Sequence, residues 1–285
     1  MSAEESKDSA PNWRSKDVSC AINPDKTASH LYEVRTQAWN IFPYPSIGNW
    51  YVLTLGILDQ PYYPEIFSCL QQSQKLLDVG CGFAQDLRHL VFDGALAENV
   101  YGVDIEKPFI DLGFELFLDR AKLPSTNFIA ADMFDPESDA KNLSGQIDIV
   151  YASQFFHLWG WDNQVEVGKA VARLLNPARK SLIVGYQIGA IVPRETQKAP
   201  TKHGKMYSHD PASLQKLWDA IGEATGTKWT GEARLDEAKL FGRYTRLDGY
   251  IIGGDDYFTS PGFRFRAASD TGEIRQPVFP KTRNP

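Results

Sequence analysis

The stretch KLLDVGCGFAQDL, residues 75–87, decides how this chain is read. Lys75–Val79 is a short apolar run, and after Ala84 the residues Leu87, Leu90 and Val91 return on one helical face. The segment therefore reads as a strand, a tight turn and a helix. Gly80 and Gly82 occupy the turn, where a side chain would hold a ligand away from the backbone. The same alternation repeats downstream. NVYGVD, NFIA, QIDIVYAS and KSLIVGYQ are further apolar runs, and KPFIDLGFELFLDRAK and DNQVEVGKAVARLLNP have helical period. Strands alternating with helices imply βαβ units and a parallel sheet. Near-continuous apolarity in the strands implies helices on both faces.

The composition bounds the rest. The chain has 285 residues, 42% hydrophobic, 12% aromatic and 23% charged, which is an ordinary globular balance. A net charge of −6, with no cluster of basic residues, argues against a nucleic-acid partner. The longest apolar stretches, Ile147–Trp159 and Leu182–Pro193, are interrupted and fall short of the ~18–20 residues of a membrane span. The polar N-terminus has no signal-peptide core. Three scattered cysteines (Cys20, Cys69, Cys81) fit a reducing compartment and neither a disulfide framework nor a metal site. A soluble cytoplasmic protein is expected.

Three regions follow along the chain. Residues 1–25 read as a mobile tail and 26–72 as an aromatic-rich helical cap, with helices over Thr27–Asn40, Asn49–Leu58 and Pro64–Gln71. Residues 73–285 form the main domain, with an insert near 188–210 read as a long loop over Gly189–Tyr207. Asp210 and Pro211 open a later helix as cap and first residue. Strand-like stretches near Lys228–Arg234 and Phe263–Ala268 are placed to close the sheet.

Acidic residues end successive strands. Asp78 closes the first, Asp104 closes the second 22 residues after Gly82, and Asp132-Met133 follow the third. An acid at the second position can accept hydrogen bonds from ribose hydroxyls. Gln85 stands where a dinucleotide fingerprint needs its third glycine. An acidic neighbourhood also suits a cation better than a phosphate. The segment resembles motif I of the class I S-adenosylmethionine (SAM)-dependent methyltransferases, with Asp104 and Asp132-Met133 matching the ribose and adenine motifs. That resemblance implies a Rossmann-like, mostly parallel twisted sheet with helices on both faces. It also implies a SAM site made by Asp78, Gly80, Cys81, Gly82, Asp104, Ile105, Asp132, Met133, Ser153 and Gln154.

PYPSIGNW (43–50), FIDLGFELFLDR, ASQFFHLWGWDNQV and KLWDAIGEATGTKW extend the likeness. Together they resemble a fungal natural-product methyltransferase family that includes carboxyl O-methyltransferases of meroterpenoid pathways. The resemblance implies a small hydrophobic metabolite as acceptor. Tyr44, Trp50, Tyr62, Phe156, Trp159, Met206 and Tyr207 are the candidate acceptor-lining residues, and His157 the candidate base or orienting group. His157 in an apolar stretch also reads as a core residue, and the aromatic N-terminal segment as a cover for one sheet edge. A carboxylate with an ordinary pKa near ~4 needs no base, whereas a phenol near ~10 does. The sequence has no His/Asp dyad at recognisable spacing, which favours the carboxylate. Cys81, inside the cofactor loop, reads as a small residue and not a nucleophile. The competing readings are a phenol or alcohol O-methyltransferase using His157, a non-methylating protein of the same fold, and a nicotinamide-dependent oxidoreductase, the last opposed by Gln85.

Overall fold

Leu76–Val79 (β1) is buried along its whole length, as a strand covered on both faces must be. The computed structural model describes residues 24–197, 202–238 and 244–254. Val100–Asp104 (β2) and Ile149–Tyr151 (β4) pair in parallel on either side of β1, so Asp78 sits beside both Gly102 and Tyr151. Phe128–Ala130 (β3) and Leu182–Gly189 (β5) extend the parallel sheet outward. Tyr244–Gly254 (β9) adds to β5 antiparallel, and Trp229–Ala238 (β8) closes the edge, in the order β3-β2-β1-β4-β5-β9-β8. Strand order reverses between β1 and β4, which opens a crevice at their carboxyl ends.

Alternation along β1 divides the core. Leu77 and Val79 face α6 (Trp161–Leu174) and α7 (Pro211–Thr225), packing with Val167, Val171, Leu217 and Trp218. Leu76 faces α4 (Gln85–Phe92) and α3 (Tyr63–Gln71), packing with Leu87, Leu90, Ile66 and Leu70. A third cluster seats the N-terminal elements α1 (Pro24–Ile41) and α2 (Pro45–Gly48) on α5 (Lys107–Phe117). There Val34, Ala38, Ile47 and Trp50 meet Phe109, Leu112 and Leu116. Arg35 stitches that cap together by donating to the carbonyls of Ile47 (3.1 Å) and Gly48 (2.5 Å), with its guanidinium over Trp50.

Several local readings change. The helix expected over Asn49–Leu58 is instead a 3₁₀ turn at Tyr51–Leu53 flanked by turns, with α2 ending just before it. Trp50 adopts a left-handed φ of 62°, which ends helical continuation. Gly56 is pressed against the Tyr186 hydroxyl, where a Cβ would collide. The loop expected over Gly189–Tyr207 contains a hairpin, Arg194–Gln197 (β6) paired with Lys205–Ser208 (β7). Its first strand, β6, is polar and largely exposed, so it lacks the alternation that marks a half-buried strand. Asp210 caps α7 in a reciprocal box with Ser213, as the sequence suggests. The strand read near Lys228–Arg234 is β8, whereas Phe263–Ala268 and residues 1–23 of the tail lie outside the described residues. Pro24 and Asp25 already belong to α1. Among the described residues, no helix is long and apolar enough to cross a membrane.

Candidate active site

The turn after β1 carries three left-handed residues, Gly80 (φ 72°), Gly82 (φ 53°) and Ala84 (φ 53°). Backbone N–H groups of Gly80 and Cys81 donate to the Val103 carbonyl (2.8 and 3.1 Å), which ties the turn to β2. The Gly82 N–H donates to Asp104 Oδ2 (2.9 Å), and the Glu106 N–H donates to Oδ1 (2.8 Å). Asp104 is thereby fixed at the lip of the glycine turn. Burial pushes its carboxyl up, against the lowering effect of these two hydrogen bonds. The two glycines serve different ends. A Cβ on Gly80 would lie 2.7 Å from the Phe155 ring, so Gly80 is demanded by packing; one on Gly82 would meet nothing within 4 Å. Gly82 is therefore where a ligand has open access to backbone.

Arg88 braces the turn from behind. Its Nη1 donates to the carbonyls of Phe83 (2.6 Å) and Ala84 (3.3 Å), while Nε and Nη2 grip Asp119 (2.6 and 3.1 Å). Cys81 is buried and burial pushes its thiol up, which opposes any nucleophilic thiolate. Asp78, on β1, lies near Asp86 of α4. Burial, followed by the charges of Asp86 and Asp104, pushes its carboxyl well above the usual range.

At the outer strands, Asp132 is exposed and its Oδ1 accepts from the Phe134 N–H (2.9 Å), while Met133 packs on the core. Ile105 is 53% exposed beside Asp104. Ser153 and Gln154 are half-buried at the end of β4, and Gln154 holds a left-handed φ of 52° with its N–H on the Tyr186 carbonyl (2.7 Å).

The acceptor candidates divide. Tyr44 stands close to Asp104 and Glu106, and burial, then those charges, push its hydroxyl up to about 12. Trp159 meets Phe155 (4.9 Å), Phe134 (5.5 Å) and His203 (5.3 Å) by its ring, at the mouth of β4. Met206 and Tyr207 lie on β7, with Tyr207 against Trp161 and His209. Trp50, Tyr62 and Phe156 are instead core residues: Trp50 within the cap, Tyr62 against α4, and Phe156 against Trp218. His157 is 6% exposed, its Nδ1 has no partner, and burial pushes it down to about 4.

The structure adds residues that no motif announced. Lys202, in the β6–β7 turn, forms an ion pair with Glu106 and lies 5.1 Å from the Phe42 ring. His203 meets Phe134 and Trp159, so the hairpin reaches from β5 over the ends of β2 and β3. Its base is fixed by Gln164, which donates to the carbonyls of Trp159 (3.0 Å) and Tyr207 (3.1 Å). Gln164 Oε1 faces His209 Nε2 at 2.8 Å, and His209 Nδ1 faces the Ser213 hydroxyl at 3.0 Å. Burial pushes His209 down to about 4, so it is neutral at pH 7.

A model of the meroterpenoid methyltransferase N-terminal domain matches residues 19–51, and one of a methyltransferase domain matches residues 76–178. The O-methyltransferase atr3 of Stereocaulon alpinum is 44% identical over 230 residues, 80% of this chain and 66% of that protein. The O-methyltransferase phiE of a fungal species is 41% identical over 224 residues, 78% of this chain and 74% of its own. The methyltransferase ausD of Penicillium brasilianum is 39% identical over 230 residues, 80% of this chain and 82% of its own.

This chain belongs to that family of fungal SAM-dependent methyltransferases. The residues of this methyltransferase fit the cofactor on their own chemistry. The open backbone at Gly82, the fixed carboxylate of Asp104 and the uncompensated buried acid at Asp78 suit a cationic nucleoside.

Proposed function

We propose that this methyltransferase esterifies a carboxylate of a small apolar metabolite. SAM held at this site would supply an electrophilic methyl group to the acceptor oxygen, with its sulfur as the leaving group. In this reading Asp104 takes the ribose hydroxyls, Asp132 and Met133 the adenine, and Ser153 and Gln154 the methionine part. Tyr44, Trp159, Met206 and Tyr207 wall the acceptor space, and the hairpin excludes water above it.

The observation that carries the carboxylate is the state of the histidines. His157 is enclosed, has no charged neighbour acting on it, and is neutral down to about pH 4. His209 is held between Gln164 and Ser213. His157 has no carboxylate acting on it, and burial outweighs the charge of Asp210 beside His209, which suits an acceptor already ionised at pH 7. The rival, a phenol or alcohol deprotonated by His157, draws on the unpartnered Nδ1. The division into an N-terminal tail that ends before α1, a cap to residue 72 and a SAM domain (73–285), and a cytoplasmic setting, belong to the same reading.

The test is chemical. The chain is incubated with methyl-labelled SAM and matched panels of aryl and terpenoid carboxylic acids and phenols. Label released as methanol by mild alkali identifies a methyl ester; an alkali-stable methyl ether overturns the carboxylate.

A further inference from the structure

Four rings run in a row across α3 and α4, at the far end of α4 from the glycine turn. Tyr63 stacks on Phe67 (6.3 Å, 13° between planes), Tyr63 meets His89 (6.4 Å), and His89 meets Phe92 (6.1 Å). Asp93, the residue after α4, sits among them. The Tyr63 hydroxyl donates to its Oδ2, and His89 Nε2 lies 3.3 Å from the same oxygen. Gly94 turns the chain beside Phe67, where a Cβ would lie 3.9 Å from the ring. Phe92 is 64% exposed, while Tyr63, Phe67 and His89 are half-buried. Open ring faces beside a carboxylate make a surface suited to a partner.

A row of rings closed by an acid fits one kind of peptide. Prolines three apart present rigid faces to aromatic rings at little cost in chain entropy, and a flanking cation can meet the acid. The chain carries that pattern itself in RQPVFPKTR, residues 275–283, where Arg275, Lys281 and Arg283 flank Pro277 and Pro280. These residues lie outside the described ones, but the sheet fixes where the chain leaves it. Gly253 of β9 pairs with Leu182, the first residue of β5, so β9 ends at the amino edge. Between the end of β1 and the start of β2, α4 runs back to that same edge, and Phe92 ends it there. From β9 to β1 is three strand spacings, about 15 Å. Pro277 is 23 residues beyond Gly254, a reach of roughly 70 Å at ~3.1 Å per residue.

We infer that residues 275–283 of this chain dock on the Phe67–Tyr63–His89–Phe92 row, with the prolines against the rings and a basic side chain at Asp93. The inference goes beyond the methyl-transfer reading and does not depend on it.

The probe is a fluorescein-labelled synthetic peptide of residues 273–285, titrated by anisotropy into the full chain. In wild type the tethered segment competes at an effective concentration on the order of mM, so the free peptide binds weakly. In the full chain carrying Pro277→Ala and Pro280→Ala the row is released, and peptide affinity is expected to rise about tenfold or more. Adding Phe92→Ala, a change at an exposed side chain, should abolish that gain. S-adenosylhomocysteine (SAH) should bind all three forms alike, and an SAH affinity that falls with Phe92→Ala overturns the separation of this surface from the glycine turn. Equal peptide binding to wild type and the proline variant, still lost with Phe92→Ala, would give the row to a segment of another chain and overturn docking within this one. Binding that ignores Phe92→Ala, or no binding to any form, overturns the docking surface itself.

Discussion

Lys202 and Glu106, 96 residues apart in sequence, meet as an ion pair that joins the β6–β7 turn to the end of β2. Both side chains are partly exposed, at 29% and 25%, so the pair itself is worth only about 0.2–1 kcal/mol. Its position matters more than its strength, because Lys202 also packs on Phe42 of the cap. Lys202→Ala is expected to speed SAH release by about twofold to fivefold, read by stopped-flow displacement. The charge-swapped pair Lys202→Glu with Glu106→Lys should restore part of the rate. A release rate unchanged in the single variant would deny the hairpin any grip on the site.

Gly82 and Gly80 should respond differently to the same change. Gly82→Ala meets open space and carries only left-handed strain of ~1–2 kcal/mol, so the fold survives while SAH affinity falls. Gly80→Ala drives a methyl into the Phe155 ring and is expected to lower the melting temperature first. Equal thermal loss in both variants would contradict the division.

Asp104→Ala removes the acceptor of two backbone N–H groups and, in the proposed reading, the partner of the ribose hydroxyls. The expected loss in SAH affinity is about tenfold or more, from ~1.5–3 kcal/mol for a charge-assisted hydrogen bond. An isotherm matching wild type would reduce Asp104 to a support for the turn.

His157→Gln tests the acceptor. With a carboxylate, the variant keeps a substantial part of its turnover and the pH–rate profile lacks an ascending limb due to this residue. With a phenol, turnover falls by ~10²–10⁴-fold while SAH affinity holds.

Acid stability gives a second view of the same residue. His157 is neutral in the fold, with its pKa lowered from 6.5 to about 4 by burial. As pH falls the unfolded chain takes up the proton first, so stability from this site is complete above 6.5 and drains away toward 4. The loss reaches about 3 kcal/mol at pH 4. Melting temperatures from pH 7 to 4.5 should therefore fall less steeply for His157→Gln than for wild type. Parallel curves would place His157 in contact with solvent.

Much of this was legible in the residues. The β1 turn and the acids at 78, 104 and 132 could be placed because parallel strands deliver their carboxyl ends to one edge. The hairpin could not, since Arg194–Gln197 has neither apolar alternation nor a turn signal of its own. Tyr62 and Phe156 looked like pocket aromatics because composition does not say which side of a packed layer a ring occupies. Asp86 was passed over for a similar reason. An acid in the first turn of a helix ordinarily faces water, and only the Ile57 and Tyr151 contacts reveal that it does not.

The cap has a consequence for how such enzymes diversify. The Ile57 N–H rests on Asp86, and Tyr44 stands beside Asp104, so the segment that carries Tyr44, proposed to wall the acceptor space, also reaches two acids beside the glycine turn. Acceptor preference and cofactor grip are then inherited as one unit. A chimaera that grafts another relative's N-terminal segment onto this core would disturb both at once, unless the donor brings matching partners for Asp86 and Asp104. A change of acceptor through this segment is then easier by side-chain replacement on the same backbone path than by exchange of the whole module.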